Sequence, residues 1–139
     1  MKSIYDEILL ERNLYPRNKG RLEGSTLEKE LTNASCGDRI CVQLKIQDNL
    51  IVEGKFDGVG CAIALAAADL MIDSVRGKTM EEAKEMKEMF REMILSPETF
   101  KMSGGSKKIG DSSALEIVAR MPARVKCAEL AWQIFKGQE

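Results

Sequence analysis

Histidine is absent from all 139 residues, and that omission removes both the commonest metal ligand and the default general base near neutral pH. Serine–histidine and cysteine–histidine nucleophilic pairs go with it. Any metal this chain holds must be bound through sulfur and oxygen. A basic excess is lacking too. The 21 Lys+Arg and 22 Asp+Glu are interspersed and leave a net charge of −1, so no positive field exists to neutralise phosphates, and no nucleic acid partner is expected. Long apolar runs are also missing. The longest, Cys61 to Ala68, is too short to span a bilayer. Met1 to Leu10 carries Asp6 and Glu7 inside its apolar run and has no small-residue cleavage site, unlike a secretory signal. The expectation is a soluble cytoplasmic protein with no membrane partner, in a compartment where thiols stay reduced.

What the chain does have is four cysteines. In a reducing compartment these serve as ligands or nucleophiles rather than crosslinks. The length fits one domain, residues 1–139, burying about two-thirds of its unfolded surface without a disulfide staple.

Hydrophobic periodicity divides the chain in two. Ile4, Ile8 and Leu9 follow a helical period and predict a helix from Lys2 to Leu14, ended at Tyr15-Pro16. Three strands follow. The clearest runs from Arg39 to Ile46, where Ile40, Val42, Leu44 and Ile46 alternate with polar neighbours. Gln47-Asp48-Asn49 reverses the chain into a return strand through Leu50, Val52 and Phe56, and Thr26 to Thr32 supplies the first strand. From Cys61 onward the period becomes helical. One alanine-rich helix runs to Arg76 and closes at Gly77. A second begins at Thr79 with Glu82 completing a capping box, and carries Met86, Met89 and Met93 as core filler. Met102 to Lys108 reads as a mobile loop, Asp111 as the cap of a short helix to Ala119, and Pro122 as the start of a last helix. The predicted architecture is α+β: a three-stranded antiparallel sheet with about five helices packed mainly on one face.

The chemistry centres on Asn33-Ala34-Ser35-Cys36-Gly37-Asp38-Arg39. In extended backbone, residues two apart point the same way, so Cys36 and Asp38 can reach one ion together while Gly37 lets the chain bend. A soft thiolate beside a hard carboxylate makes a mixed donor set, suited to a site that can let go. The same residues also fit a turn in which Asp38 bonds its own backbone and Cys36 is an ordinary buried thiol, and the pattern alone leaves both open. Cys61 follows Gly58-Val59-Gly60 and opens a helix, where unsatisfied amides favour an anion. Cys127 lies near the start of the last helix beside Arg124 and Lys126, whose charges favour a thiolate, although its helical neighbours are apolar. Cys41 sits within a strand on the face opposite Val42 and Leu44 and reads as a bystander.

Four segments carry a family resemblance. The stretch from Asn33 to Arg39, Phe56-Asp57-Gly58-Val59-Gly60-Cys61-Ala62-Ile63 and Met121-Pro122-Ala123-Arg124-Val125-Lys126-Cys127 resemble the three cysteine motifs of the IscU/SufU (NifU N-terminal-like) iron–sulfur cluster assembly family. Tyr15-Pro16-Arg17-Asn18-Lys19-Gly20 resembles that family's Asn-Pro-Arg-Asn-x-Gly. The resemblance implies that Cys36, Asp38, Cys61 and Cys127 surround Zn2+, or alternatively iron or a nascent [2Fe–2S] cluster. It further implies that sulfur arrives as a persulfide from a cysteine desulfurase and passes to acceptor apo-proteins or other assembly proteins. Lys126 stands where IscU members have histidine, their Leu-Pro-Pro-Val-Lys motif is not reproduced, and Phe90 to Asp111 resembles the insertion of the SufU branch. In that branch the sulfur acceptor corresponds to Cys36, and in IscU-type scaffolds to Cys127. Activity as a zinc-dependent sulfurtransferase or as a non-enzymatic scaffold both remain open. So do a structural zinc domain and a thiol redox sensor.

Overall fold

A computed structural model describes residues 4–136. The chain runs α1 (Ile4–Leu14), β1 (Leu27–Asn33), β2 (Asp38–Gln47), β3 (Leu50–Val59), α2 (Ala62–Val75), α3 (Met80–Leu95), α4 (Pro97–Met102), α5 (Gly105–Ile109) and α6 (Val125–Glu129). Three 3-10 segments, Gly110–Arg120, Pro122–Arg124 and Ala131–Phe135, complete it. The predicted start of the first helix, Lys2-Ser3, lies outside the described residues.

The strands form one antiparallel sheet in the order β1-β2-β3. Alternation in β2 puts Ile40, Val42 and Leu44 on the buried face, where Ile51 and Phe56 of β3 join them. Gln47 pairs with Leu50, leaving Asp48 and Asn49 as a two-residue turn with φ of 51° and 65°. Both central residues are then left-handed, which matches the right-handed twist of the flanking strands. The α2 helix covers this face. Its Ala64, Ala66, Ala67 and Ala68 are fully buried, because only small side chains let a helix lie close against neighbours on several sides. Thr79 caps α3 as predicted, with reciprocal bonds to Glu82 of 3.0 Å each. Met86 and Met93 are buried and Met89 packs against the core.

A buried polar knot ties the N-terminal arm to α2. Asp69, fully buried, accepts from the backbone N–H of Arg17 at 2.9 Å and of Asn18 at 2.8 Å, and from the Arg12 guanidinium at 2.8 Å. Asn18 Nδ2 in turn donates to Asp73, which also pairs with Arg12 and Arg76. Arg12 is itself only 3% exposed, so the ion pair is desolvated and depends on this full set of bonds.

Three expectations are corrected. The predicted mobile loop from Met102 to Lys108 contains the end of α4 and most of α5. Phe100 and Ile109 are fully buried, and Ser74 Oγ donates to the Ile109 carbonyl at 2.7 Å, so packing onto the core overrides a loop-like composition. Asp111 does not cap a helix: the 3-10 segment Gly110–Arg120 has no side-chain cap. The last helix is broken into a 3-10 turn, α6 and a final 3-10 turn.

Candidate metal centre

Four elements deliver the predicted site residues to one end of the sheet. Cys36 lies in the turn joining β1 to β2, and Gly37 holds the left-handed φ of 70° that the turn requires. Asp38 begins β2, paired in register with Asn33, the last residue of β1. Cys61 is the N-cap of α2. Cys127 is fully buried on α6.

The ligand atoms of Cys36, Asp38 and Cys127 all lie within 4.8 Å of one another, the one such group of three among the described residues. Zinc–sulfur bonds of about 2.3 Å at a tetrahedral centre put ligand atoms about 3.8 Å apart, so a small contraction would close these three on one ion. The donor chemistry, two thiols and a carboxylate, fits zinc. The Cys61 thiol is not within that group. It is near enough to raise the Cys127 thiol and meanwhile accepts the Ala64 backbone N–H at 3.4 Å, capping its own helix. Cys41 lies apart, half-buried, with Arg21 Nη1 3.8 Å from its sulfur.

Asp38 does two jobs. One oxygen, Oδ1, accepts the backbone N–H of Cys61 at 2.9 Å, fastening the start of β2 to the start of α2. The other, Oδ2, faces Asn33 Nδ2 at 3.3 Å. Gly60 makes this approach possible, since a Cβ there would stand 2.9 Å from Asp38 Oδ1.

Arg124 bonds Cys127 as its position suggests, but the thiolate expected there is outweighed. Burial first, then hydrogen bonding to Asp38, Cys36 and Cys61 and the charge of Cys61, push the Cys127 thiol above the ordinary range. Lys126 is exposed and too well solvated to compensate. Arg124 has a wider reach than its sequence position indicates. Its guanidinium is 3.7 Å from Cys36 Sγ, and its hydrogen bond to Cys127 and the charges of Cys61 and Cys36 raise its own proton affinity.

Sequence reasoning gave Asn33 no role. It is buried, and its Nδ2 lies 3.5 Å from Cys127 Sγ as well as against Asp38. A polar residue placed to end β1 opposite a candidate ligand was the available signal.

Residues 4–128 match the family model for the NifU-like N terminal domain. The chain is 35% identical to the zinc-dependent sulfurtransferase SufU of Bacillus subtilis, over 96% of this chain and 87% of that protein. It is 34% identical to the iron–sulfur cluster assembly scaffold protein IscU of Thermotoga maritima, over 97% and 92%. A crystal structure of a candidate SUF-system scaffold from Fervidobacterium islandicum superposes with a TM-score of 0.82 at 31% identity, covering 96% of this chain and 94% of that one. The chain therefore belongs to the NifU-like N-terminal domain family, among relatives named for iron–sulfur cluster assembly.

Proposed function

We propose that this chain is a cytoplasmic iron–sulfur cluster assembly protein that holds zinc through Cys36, Asp38, Cys61 and Cys127 and accepts persulfide sulfur from a cysteine desulfurase. The supporting observation is the convergence of Cys36, Asp38 and Cys127 from three separate elements within 4.8 Å, with Cys61 near enough to raise the Cys127 thiol. To complete the set the Cys61 thiol must release the Ala64 N–H, a long bond, and move toward the other three ligand atoms. Bound there, zinc would supply a Lewis-acidic centre that keeps the thiols deprotonated.

Cys36 is the better acceptor. Cys36 is half-exposed, and besides the Cys127 thiol its sulfur meets Arg124 Nη1 at 3.7 Å and the Ala123 carbonyl at 3.9 Å. Cys127 is fully buried. In the transfer, the Cys36 thiolate attacks the outer sulfur of the desulfurase persulfide. A new S–S bond forms on Cys36, the donor's S–S bond breaks, and the donor cysteine leaves as a thiolate, as in thiol–disulfide exchange. No external oxidant or reductant is consumed. Arg124, above Cys36, offers a cation to the negative charge passing between the two sulfurs. Sulfur then moves on to assembly proteins or apo-acceptors as cargo.

A sulfur-transfer assay with a cysteine desulfurase tests this. Cys36→Ala should abolish persulfide acceptance, whereas undiminished acceptance would remove Cys36 from the role.

A further inference from the structure

We infer that Asn33 is a positioning residue that divides this centre into a fixed half, Asp38 with Cys127, and a departing half, Cys36. The inference rests on the metal-site reading above. A carboxamide nitrogen carries two hydrogens, and Asn33 Nδ2 has an acceptor for each: Asp38 Oδ2 at 3.3 Å and Cys127 Sγ at 3.5 Å. Both acceptors are negatively charged when they ligate a cation, and a donated N–H favours that form. Asn33 does not donate to Cys36, whose sulfur rests instead on the Pro122–Arg124 turn through Arg124 and the Ala123 carbonyl.

The backbone explains the asymmetry. Asn33 and Asp38 face each other across the β1–β2 ladder, so their separation is set by strand geometry and not by the turn between them. Residues Ala34 to Gly37 form that turn. Cys36 can swing outward with it once its N–H releases the Asn33 carbonyl, at 3.2 Å, while the Asn33 carboxamide stays aimed at Asp38 and Cys127. Asp38 is braced from its other oxygen by the Cys61 N–H, so neither of its oxygens follows Cys36. Burial reinforces the arrangement: Asn33, Asp38 and Cys127 are 7%, 2% and 0% exposed, which leaves water little part in holding them.

The test uses the full chain with Asn33→Ala and Asn33→Leu, the latter filling the space without supplying a donor. Zinc affinity is measured by competition with a chromophoric chelator, and cobalt(II) absorption reports coordination geometry. Both variants should bind zinc roughly 10- to 100-fold more weakly, the usual effect of losing an outer-shell hydrogen bond. They should also shift the cobalt–thiolate band while keeping the wild-type far-ultraviolet circular dichroism without metal. In a Cys36→Ala background, which imitates the departed thiol, Asn33→Ala should cost at least about tenfold more. Wild-type affinity in both variants would overturn the inference. So would a loss in Asn33→Ala that Asn33→Leu restores, which means packing, or collapse of both metal-free chains, which means a role in the fold. If the wild-type chain bound neither zinc nor cobalt, the site reading would fall. If it bound both and the variants were unaffected, only the role of Asn33 would.

Discussion

The Asp38 carboxylate accepts the backbone N–H of Cys61 at 2.9 Å, so a candidate metal ligand on β2 also anchors the first turn of α2. Asp38→Ala therefore removes more than an oxygen donor. It leaves the Cys61 N–H without its acceptor and the buried Asn33 amide with Cys127 alone. Losing such a partner costs about 1–3 kcal/mol. Urea unfolding of chelator-treated protein should show a loss of that order even without metal; an unchanged midpoint would mean that Asp38 serves the metal alone.

Gly60→Ala is a gentler probe of the same clasp. A methyl group would stand 2.9 Å from Asp38 Oδ1 and 3.4 Å from the Ala64 side chain, closer than carbon and oxygen normally approach. Asp38 must retreat from both Cys61 and the sulfurs. Chelator competition should show weakened zinc binding with the fold retained, and affinity equal to wild type would contradict the tight fit.

Asp69→Ala removes the acceptor shared by Arg12, the Arg17 amide and the Asn18 amide. Arg12 keeps its pair with Asp73, but it loses one partner and two backbone N–H groups lose their acceptor, at about 1–3 kcal/mol for each unsatisfied group, a large fraction of the stability of a small domain. Thermal unfolding should fall sharply, and protease should first cut the arm ahead of β1, since that is what Asp69 holds down. A loss of less than about 1 kcal/mol would mean that Asp73 alone holds Arg12 and that water takes up the two amides.

Acid should loosen the same knot. Burial alone would raise the Asp73 carboxyl, but hydrogen bonds from Asn18, Arg76 and Arg12 outweigh it and hold the group below its ordinary 3.8. Glu53 is lowered as well, chiefly by the Gly54 backbone N–H, with Arg76 adding to the effect. A depressed carboxyl contributes stability that is fully present above its unfolded value and disappears as pH falls through the folded one. Stability should thus hold from pH 7 to about 5 and decline below 3.8. Asp73→Asn should be less stable at neutral pH and show a shallower acid decline. Parallel acid limbs for the two chains would exclude Asp73 as a source.

How much of this the sequence reveals follows from the range of the forces involved. Strand β2, the Asp48-Asn49 turn, the Cys61 helix start and the Thr79 capping box are local patterns within a few residues, and each is legible. Cys36 and Asp38 do meet, but through a turn with Gly37 left-handed rather than through the extended backbone that pairs residues two apart. The bonds from Arg12 to Asp69 and from Asn33 to Cys127 join residues 57 and 94 apart, and no periodicity records them. Composition misleads from Met102 to Lys108, where serine, glycine and lysine look like a loop but Phe100 and Ile109 anchor short helices to the core. For Cys61, helix position indicates an available thiol, while the structure has that thiol capping α2 and outside the tightest ligand group.

The central claim is that thiols and a carboxylate from separate elements share one metal. Zinc content per chain, measured on freshly purified reduced protein, tests it most directly. The account predicts about one zinc per chain for the unaltered protein and far less for Cys127→Ala, with the fold retained in both. Equal zinc in the two, or none in the unaltered chain, would contradict it.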